Sequence, residues 1–228
     1  DPYYVQPLGL DAISAAALQA QALLDARKAT ERDFAEVAVR NRKNAKDNPN
    51  AQVKGDFSVE AILEEPYISS PLRKSLCPPL SDAAAAVVLA SGDKARELTK
   101  NPAWIRGIDH RIEVAGLGQR DLTSSPSARL AAEKAGVGKG KVDVAEIHAP
   151  FAPQELILRE AMGLGDDVNV NPSGGALAAN SLMTAGLLRF GEAAQRVLDG
   201  NARRAVAHAT SGPCLQQNLV AVLEGKNG

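Results

Sequence analysis

VDVAEIHAPFAPQELILREAMG, residues 142–163, passes from one periodicity to another within a single loop. Val142–His148 is a short apolar run that stops at a proline-bearing turn, the pattern of a strand entering a loop. Ala152–Gly163 follows as a helix closed by glycine. Working outward, Trp104–Val114 (WIRGIDHRIEV) alternates like a strand and Ser127–Gly136 is a helix. On the other side come a long helix over Gly174–Leu198 and two strands, Arg204–His208 and Leu219–Leu223, flanking a Gly-Pro turn. This interleaving of strands and helices predicts an α/β domain.

Upstream the character changes. Leu8–Lys28 is rich in Ala, Leu and Gln and predicts a helix. Thr30 starts a second helix with Asp33 three residues on, a capping-box variant. On it Phe34, Val37 and Ala38 face one way. The basic residues Arg40, Arg42, Lys43, Lys46 and Lys54 form a cluster that suits a solvated face or an anion site. Asp47–Asp56 is loop-like and Ser58–Leu63 a short helix. Pro66–Pro79 carries four prolines and is expected to be irregular. Ser81–Ser91 (SDAAAAVVLAS), an apolar run between turn residues, predicts a buried strand. A helix over Gly92–Lys100 and a boundary near Asn101–Pro102 complete the reading.

Composition narrows the function. Of 228 residues, 45% are hydrophobic and 23% charged, with net charge −1, so neither wholesale disorder nor a strongly basic nucleic-acid binder is indicated. Aromatics are 4%, which leaves a core of Ala, Val, Leu and Ile. Cys77 and Cys214 alone cannot form a disulfide scaffold and fit a reducing compartment, so a cytoplasmic setting is expected. The longest uncharged run, Val168–Leu188, holds too many Asn, Ser and Pro residues for a membrane span. Three widely spread His and two Cys argue against a structural zinc site. The chain begins without Met and without a signal peptide, which reads as a piece or processed subunit of something larger.

Three stretches place polar residues at element ends beside flexible glycines. EIHAPFAPQEL sets His148 at the end of a buried strand, before Phe151, where an imidazole serves a cleft. NVNPSGGALAANSLMTAGLL sets the turn glycines Gly174 and Gly175 before a helix of small residues, Ala176, Ala178, Ala179, Ala185 and Gly186, whose N-terminus carries partial positive charge. AHATSGPCLQQN delivers His208 and Cys214 to a turn with Gly212, the minimum for thiolate chemistry. His148 and His208 are expected to share one cleft.

In this order the segments resemble the C-terminal part of the thiolase superfamily, in its sterol-carrier and lipid-transfer-protein branch. TERDFAEVAVRNRKNAKDNPN through SDAAAAVVLAS is similar to the family's loop domain and the last strand of its N-terminal half. EIHAPF stands at the NEAF/HDCF motif, NPSGGALAANSLMTAG at the NPSGG–GHP region, and AHATSGPCLQQNLVAVLE at the closing CxG or HN segment. The resemblance implies a layered βαβαβαββ domain over 102–228, preceded by a loop domain over 1–80 and the last strand and helix of the other half over 81–101. It implies carbon–carbon bond chemistry beside a coenzyme A thioester as substrate, with no covalently bound cofactor. His148 takes an oxyanion-hole or water-holding place, and Ser181 stands where the GHP histidine is expected. His208 falls at or near the second catalytic cysteine as a candidate base, with Cys214 as neighbour. Phe151, Asn180, Ser173, Gly174 and Gly212 line the expected substrate and CoA site. The segment with the nucleophilic cysteine is missing from this stretch. A covering N-terminal half or complementary subunit is therefore expected, as is a homo-oligomer in the complete protein. Three functions follow from the resemblance: a lipid-transfer-type 3-ketoacyl-CoA thiolase inactive in this portion alone, a retro-aldolase subunit working with a DUF35-type OB-fold partner, or a non-catalytic acyl-CoA-binding scaffold.

Overall fold

The computed structural model describes residue 3 and residues 5–225. Two helices open the chain, α1 (Ala12–Asp25) and α2 (Glu31–Asn44), each started by a capping box. At α2 Thr30 N–H donates to the Asp33 carboxylate at 2.7 Å while Thr30 Oγ1 accepts from Asp33 N–H at 3.3 Å. Such a box satisfies two amide donors that a helix start leaves open. α3 (Val59–Glu64) begins behind the Ser58 cap. The proline-rich stretch after it is more regular than expected, because β1 (Tyr67–Ser69) and β2 (Leu72–Arg73) pair as a small antiparallel hairpin. Its prolines sit at the turn and outside the ladder, where no donor is needed.

The expected buried strand over Ser81–Ser91 does not form. The segment runs without ladder pairing, and Val88 and Leu89 are 91% and 73% exposed. An apolar strand is stable only against a sheet and a covering layer, and the described residues offer this segment neither. α4 (Gly92–Leu98) likewise buries no residue.

The rest builds one mixed sheet in the order β3-β7-β6-β4-β5, from β3 (Trp104–Ile112), β4 (Val144–Ile147), β5 (Asn169–Val170), β6 (Arg204–Ser211) and β7 (Gln217–Glu224). β4 is parallel to both β5 and β6, while β7 runs antiparallel to β6 and β3. β5 is only two residues long, too short to stand out in sequence. α5 (Pro126–Ala135) and α6 (Ala152–Met162) cover one face, with α1 and α2 packed outside them. That layer forms the main core, from Phe34 and Ile62 through Ile147, Leu158, Val206 and Val222.

The opposite face is covered by one helix. The long helix expected over Gly174–Leu198 is broken into α7 (Gly175–Ala178) and α8 (Ala185–Leu198). The break is held by bonds to the segment before it: Ala178 C=O accepts from Gln52 and Val53 N–H at 3.0 and 2.9 Å, so that carbonyl cannot serve a continuous helix. α8 packs on Ala205, Ala207 and Ala221 through Ala193 and Val197. It reaches β6 and β4 and leaves β3 bare. Ile108 pairs with Ala221 across the ladder and so shares the α8 side, yet it is 55% exposed. Ile105 and Ile112 are exposed on the same strip. With Val87, Val88, Leu89 and the outward Leu187 of α8, they leave one side of the domain rich in uncovered aliphatic surface.

Candidate active site

The parallel strands β4 and β6 run side by side, with Ile147 in register with His208. Ligands of such sheets gather at the carboxyl ends of the strands, which is where His148 emerges. Strand alternation puts Glu146 and His148 on the α8 side. His148 Nε2 lies 3.2 Å from Asn180 Oδ1, and its Nδ1 accepts from Thr210 N–H at 3.4 Å. A backbone N–H on Nδ1 fixes the neutral tautomer with the proton on Nε2, so the ring donates to Asn180. Burial, the largest cause, and the nearby Arg189 guanidinium push the His148 pKa down to about 4, against the raising effect of the Asn180 bond. The imidazole is a neutral donor at neutral pH.

Asn180 is buried in the break between α7 and α8, and Ser181 is beside it with a buried Oγ that has no hydrogen-bond partner among the described residues. Below them Glu146 and Arg189 form a buried ion pair at 2.9 Å. Ser173 belongs to that pair: its N–H and Oγ donate to Glu146 at 3.0 and 2.6 Å. It therefore holds the scaffold and does not line a substrate site.

Several other expected site residues are placed elsewhere. His208 shares the face of Val206 and of its cross-strand partner Val220, both in the main core, so its ring points to the α5 side and not to His148. The hydrogen bond between the two histidines is a backbone one, His148 N–H donating to His208 C=O at 3.2 Å. The shared cleft does not exist, because His208 shares the face of its register partner Ile147, and His148, the next residue along the chain, points to the other face. His208 Nε2 is 2.9 Å from Asn218 Oδ1, and the Asn218 amide donates to Leu215 C=O and Ser127 Oγ. Burial, the main cause, holds its pKa down to about 3. Cys214 Sγ donates to Ala15 C=O at 3.1 Å, and burial raises its pKa to about 11. Cys77 is raised to about 11 in the same way. Neither thiol is poised as a thiolate.

Phe151 caps α6 inside the main core. Gly174 has φ +97°, and a Cβ there would lie 2.5 Å from Ala45 Cβ, so it is the point where the NPSGG loop touches the end of α2. Gly212, at φ +76°, makes the β6–β7 turn. The basic cluster is not an anion site. Arg40 pairs with buried Glu155, Arg42 donates to Ser75 C=O and stacks over Phe57, and Lys46 pairs with Asp56. Asn41 and Asn171 also donate to Glu155, at 2.7 and 2.8 Å, and tie α2 to the NPSGG loop. Sequence reasoning missed the Thr210 N–H as a partner of His148 and Ser81 as a partner of Asn180, because a backbone N–H and a loop hydroxyl carry no motif.

The two depressed histidines make the fold acid-sensitive. Unfolded histidines titrate near 6.5, so the unfolded state binds more protons as pH falls below that value. Stability is then fully present above pH 6.5 and is lost on acidification toward the folded values of about 4 and 3. Urea midpoints measured from pH 7 to pH 4.5 are expected to fall, at about 1.4 kcal/mol per pH unit per histidine. Replacing His208 by Gln is expected to flatten that slope.

A mixed sheet with helices on both faces, and a buried histidine–asparagine pair at the carboxyl ends of its parallel strands, make a layered α/β domain with one polar site at a strand end. No family profile matches the chain. Over 206 residues it is 30% identical to an acetyl-CoA acetyltransferase of Methanothermobacter thermautotrophicus, covering 80% of this chain and 54% of that one. It is 28% identical over 216 residues to rat (Rattus norvegicus) sterol carrier protein 2, covering 82% of this chain and 39% of that one. A solved structure described as an Ltp2-ChsH2(DUF35) aldolase superposes with TM-score 0.80 at 21% identity, over 97% of this chain and 65% of that one. The chain belongs to the thiolase superfamily, in its sterol-carrier-protein-2 type. It spans about half the length, or less, of these curated relatives.

Proposed function

We propose that this chain supplies the oxyanion-binding part of an enzyme that makes or breaks a carbon–carbon bond beside a coenzyme A thioester. The carrying observation is His148, a neutral imidazole whose tautomer is fixed by Thr210 N–H and whose one proton, on Nε2, rests on Asn180 Oδ1 and passes to a substrate oxygen that takes the place of that carboxamide. In such a reaction the bonding electrons flow onto the thioester carbonyl, and fixed donors in a dry site stabilise the developing enolate oxygen. Residues 1–80 act as the loop domain, 81–101 belong with the other half, and 102–228 form the C-terminal domain. The uncovered aliphatic side supports this division: Val88, Leu89 and Ile108 are positions that a second layer would bury. That layer is the N-terminal thiolase half or an equivalent subunit, in a homo-oligomeric protein of a reducing, cytoplasmic setting.

Between thiolysis and retro-aldol cleavage, the residues of this chain favour the second. Thiolysis needs a thiolate and a base to form it. The nucleophilic thiol belongs to the segment outside this stretch, but the base is expected within it, and Ser181 replaces that imidazole beside Asn180. In retro-aldol cleavage a base takes the β-hydroxyl proton and the Cα–Cβ bond opens to a carbonyl product. The thioester enolate is then protonated, without any acyl-enzyme. The similarity to the Ltp2-ChsH2(DUF35) aldolase supports this reading and a DUF35-type partner.

The test assays the assembled protein with a 3-ketoacyl-CoA plus free CoA and, separately, with a 3-hydroxyacyl-CoA. A carbonyl product released from the hydroxyacyl thioester without consumption of CoA is the expected result. CoA-dependent cleavage of the ketoacyl thioester would establish thiolysis in its place. Binding of both without turnover would make the chain a scaffold. The isolated chain is expected to turn over neither.

A further inference from the structure

We propose that Ser81 is a positioning residue for the His148–Asn180 pair, through a clamp on the backbone of Asn180. The inference rests on the functional reading of that pair given above. Asn180 sits in the non-helical break between α7 and α8, which the sequence alone would continue as helix; Leu182, two residues on, has φ +41°. Something outside the break must hold it. Ser81 does so at both ends of the Asn180 peptide: Asn180 N–H donates to Ser81 Oγ at 3.1 Å, and Ser81 N–H donates to Asn180 C=O at 3.2 Å.

The serine hydroxyl has one proton, and it goes to Gln52 Oε1. That leaves its lone pairs for Asn180 N–H, so donation runs one way, from Asn180 through Ser81 to Gln52. Gln52 is itself anchored by its own N–H to Ala178 C=O. Farther along, Thr184 Oγ1 donates to Ala83 C=O at 3.2 Å. The loop at 52–53 and the segment at 81–83 thus bracket residues 178–184 from the outside. The Asn180 carboxamide, set by its clamped backbone, presents Oδ1 to His148 Nε2–H. Segment 81–83 continues directly into the exposed stretch 84–91, so whatever seats that stretch also acts on the clamp.

The test reads the His148 ring proton and not turnover, so failure of the clamp and failure of the proposed chemistry are seen separately. In the 15N-labelled chain the Nε2 protons of His148 and His208 are both hydrogen-bonded and are expected to exchange slowly; His208, bonded to Asn218 on the other face, is the internal reference. Ser81→Ala is expected to speed exchange of the His148 proton at least about tenfold, the size of one lost hydrogen bond, with the His208 proton unmoved. Ser81→Thr is expected to restore it. Gln52→Ala, at an exposed position, is expected to shift it in the same direction by less. An unchanged His148 proton in Ser81→Ala overturns the proposal. So does equal loss of both ring protons there together with no change in Gln52→Ala.

Discussion

Replacing Arg189 by Leu is expected to destabilise the chain by about 3–5 kcal/mol, the usual cost of leaving a buried charge without its partner. Glu146 is fully buried, and its ion pair with Arg189 lies within the sheet–α8 interface. Burial raises the Glu146 pKa, and Arg189 and Ser173 act against that rise. Without the guanidinium the carboxylate keeps only the Ser173 bonds and its pKa climbs further. A carboxyl raised in the folded state contributes stability below its unfolded pKa and loses it as pH rises through the folded value. The gap between the variant and the unaltered chain is therefore expected to narrow on acidification, although both chains lose the histidine contribution there. Chemical denaturation at two pH values, together with the Arg189→Lys variant, checks both signs. For a chain of this size the loss at neutral pH corresponds to a fall in Tm of about 10 °C or more.

The second large effect concerns turnover. His148→Ala in the assembled protein is expected to lower kcat by about 10²–10³-fold, the range for removing one donor from a developing oxyanion. Asn180→Ala is expected to act in the same direction by less, since it orients the ring and leaves the ring proton in place. His208→Ala should behave differently. Its ring is on the far face, against Asn218 and Ser127, so its removal costs stability by about 1–3 kcal/mol through the stranded Asn218 amide. A direct fall in kcat with unchanged stability in His208→Ala would place His208 in the site, against the strand register. Parallel measurement of kcat and urea midpoint for the three variants separates these outcomes.

Much of this arrangement is legible in the residues. The Thr30–Asp33 box, the glycine that closes α6 and the alternation of Trp104–Ile112 are local signals, and local physics places them correctly. His148 stands out as an imidazole where a buried apolar run meets a proline-bearing turn, and Asn180 through the family resemblance. What resisted reading depends on distant partners. Whether His208 faces His148 is set by alternation within a register that only pairing to β4 and β7 fixes. The break at Asn180 is made by Gln52 and Ser81, about 130 and 100 residues away in the chain. Arg40 and Arg42 have the composition of a surface cluster but are spent on Glu155 and Ser75. Residues 81–91 have the composition of a buried strand, and nothing in their own sequence says that the sheet they need is not formed by the described residues.

That stretch also carries the sharpest test of the central claim, that a second thiolase layer completes this domain. Hydrogen–deuterium exchange of the amides of residues 82–91 should be measured in the chain alone and after assembly with the polypeptide carrying the remaining layer. Fast exchange alone and strong protection on assembly, spreading to the outer edge of β3, is the predicted result. Exchange at 82–91 that stays fast in a complex proven to have formed would contradict it.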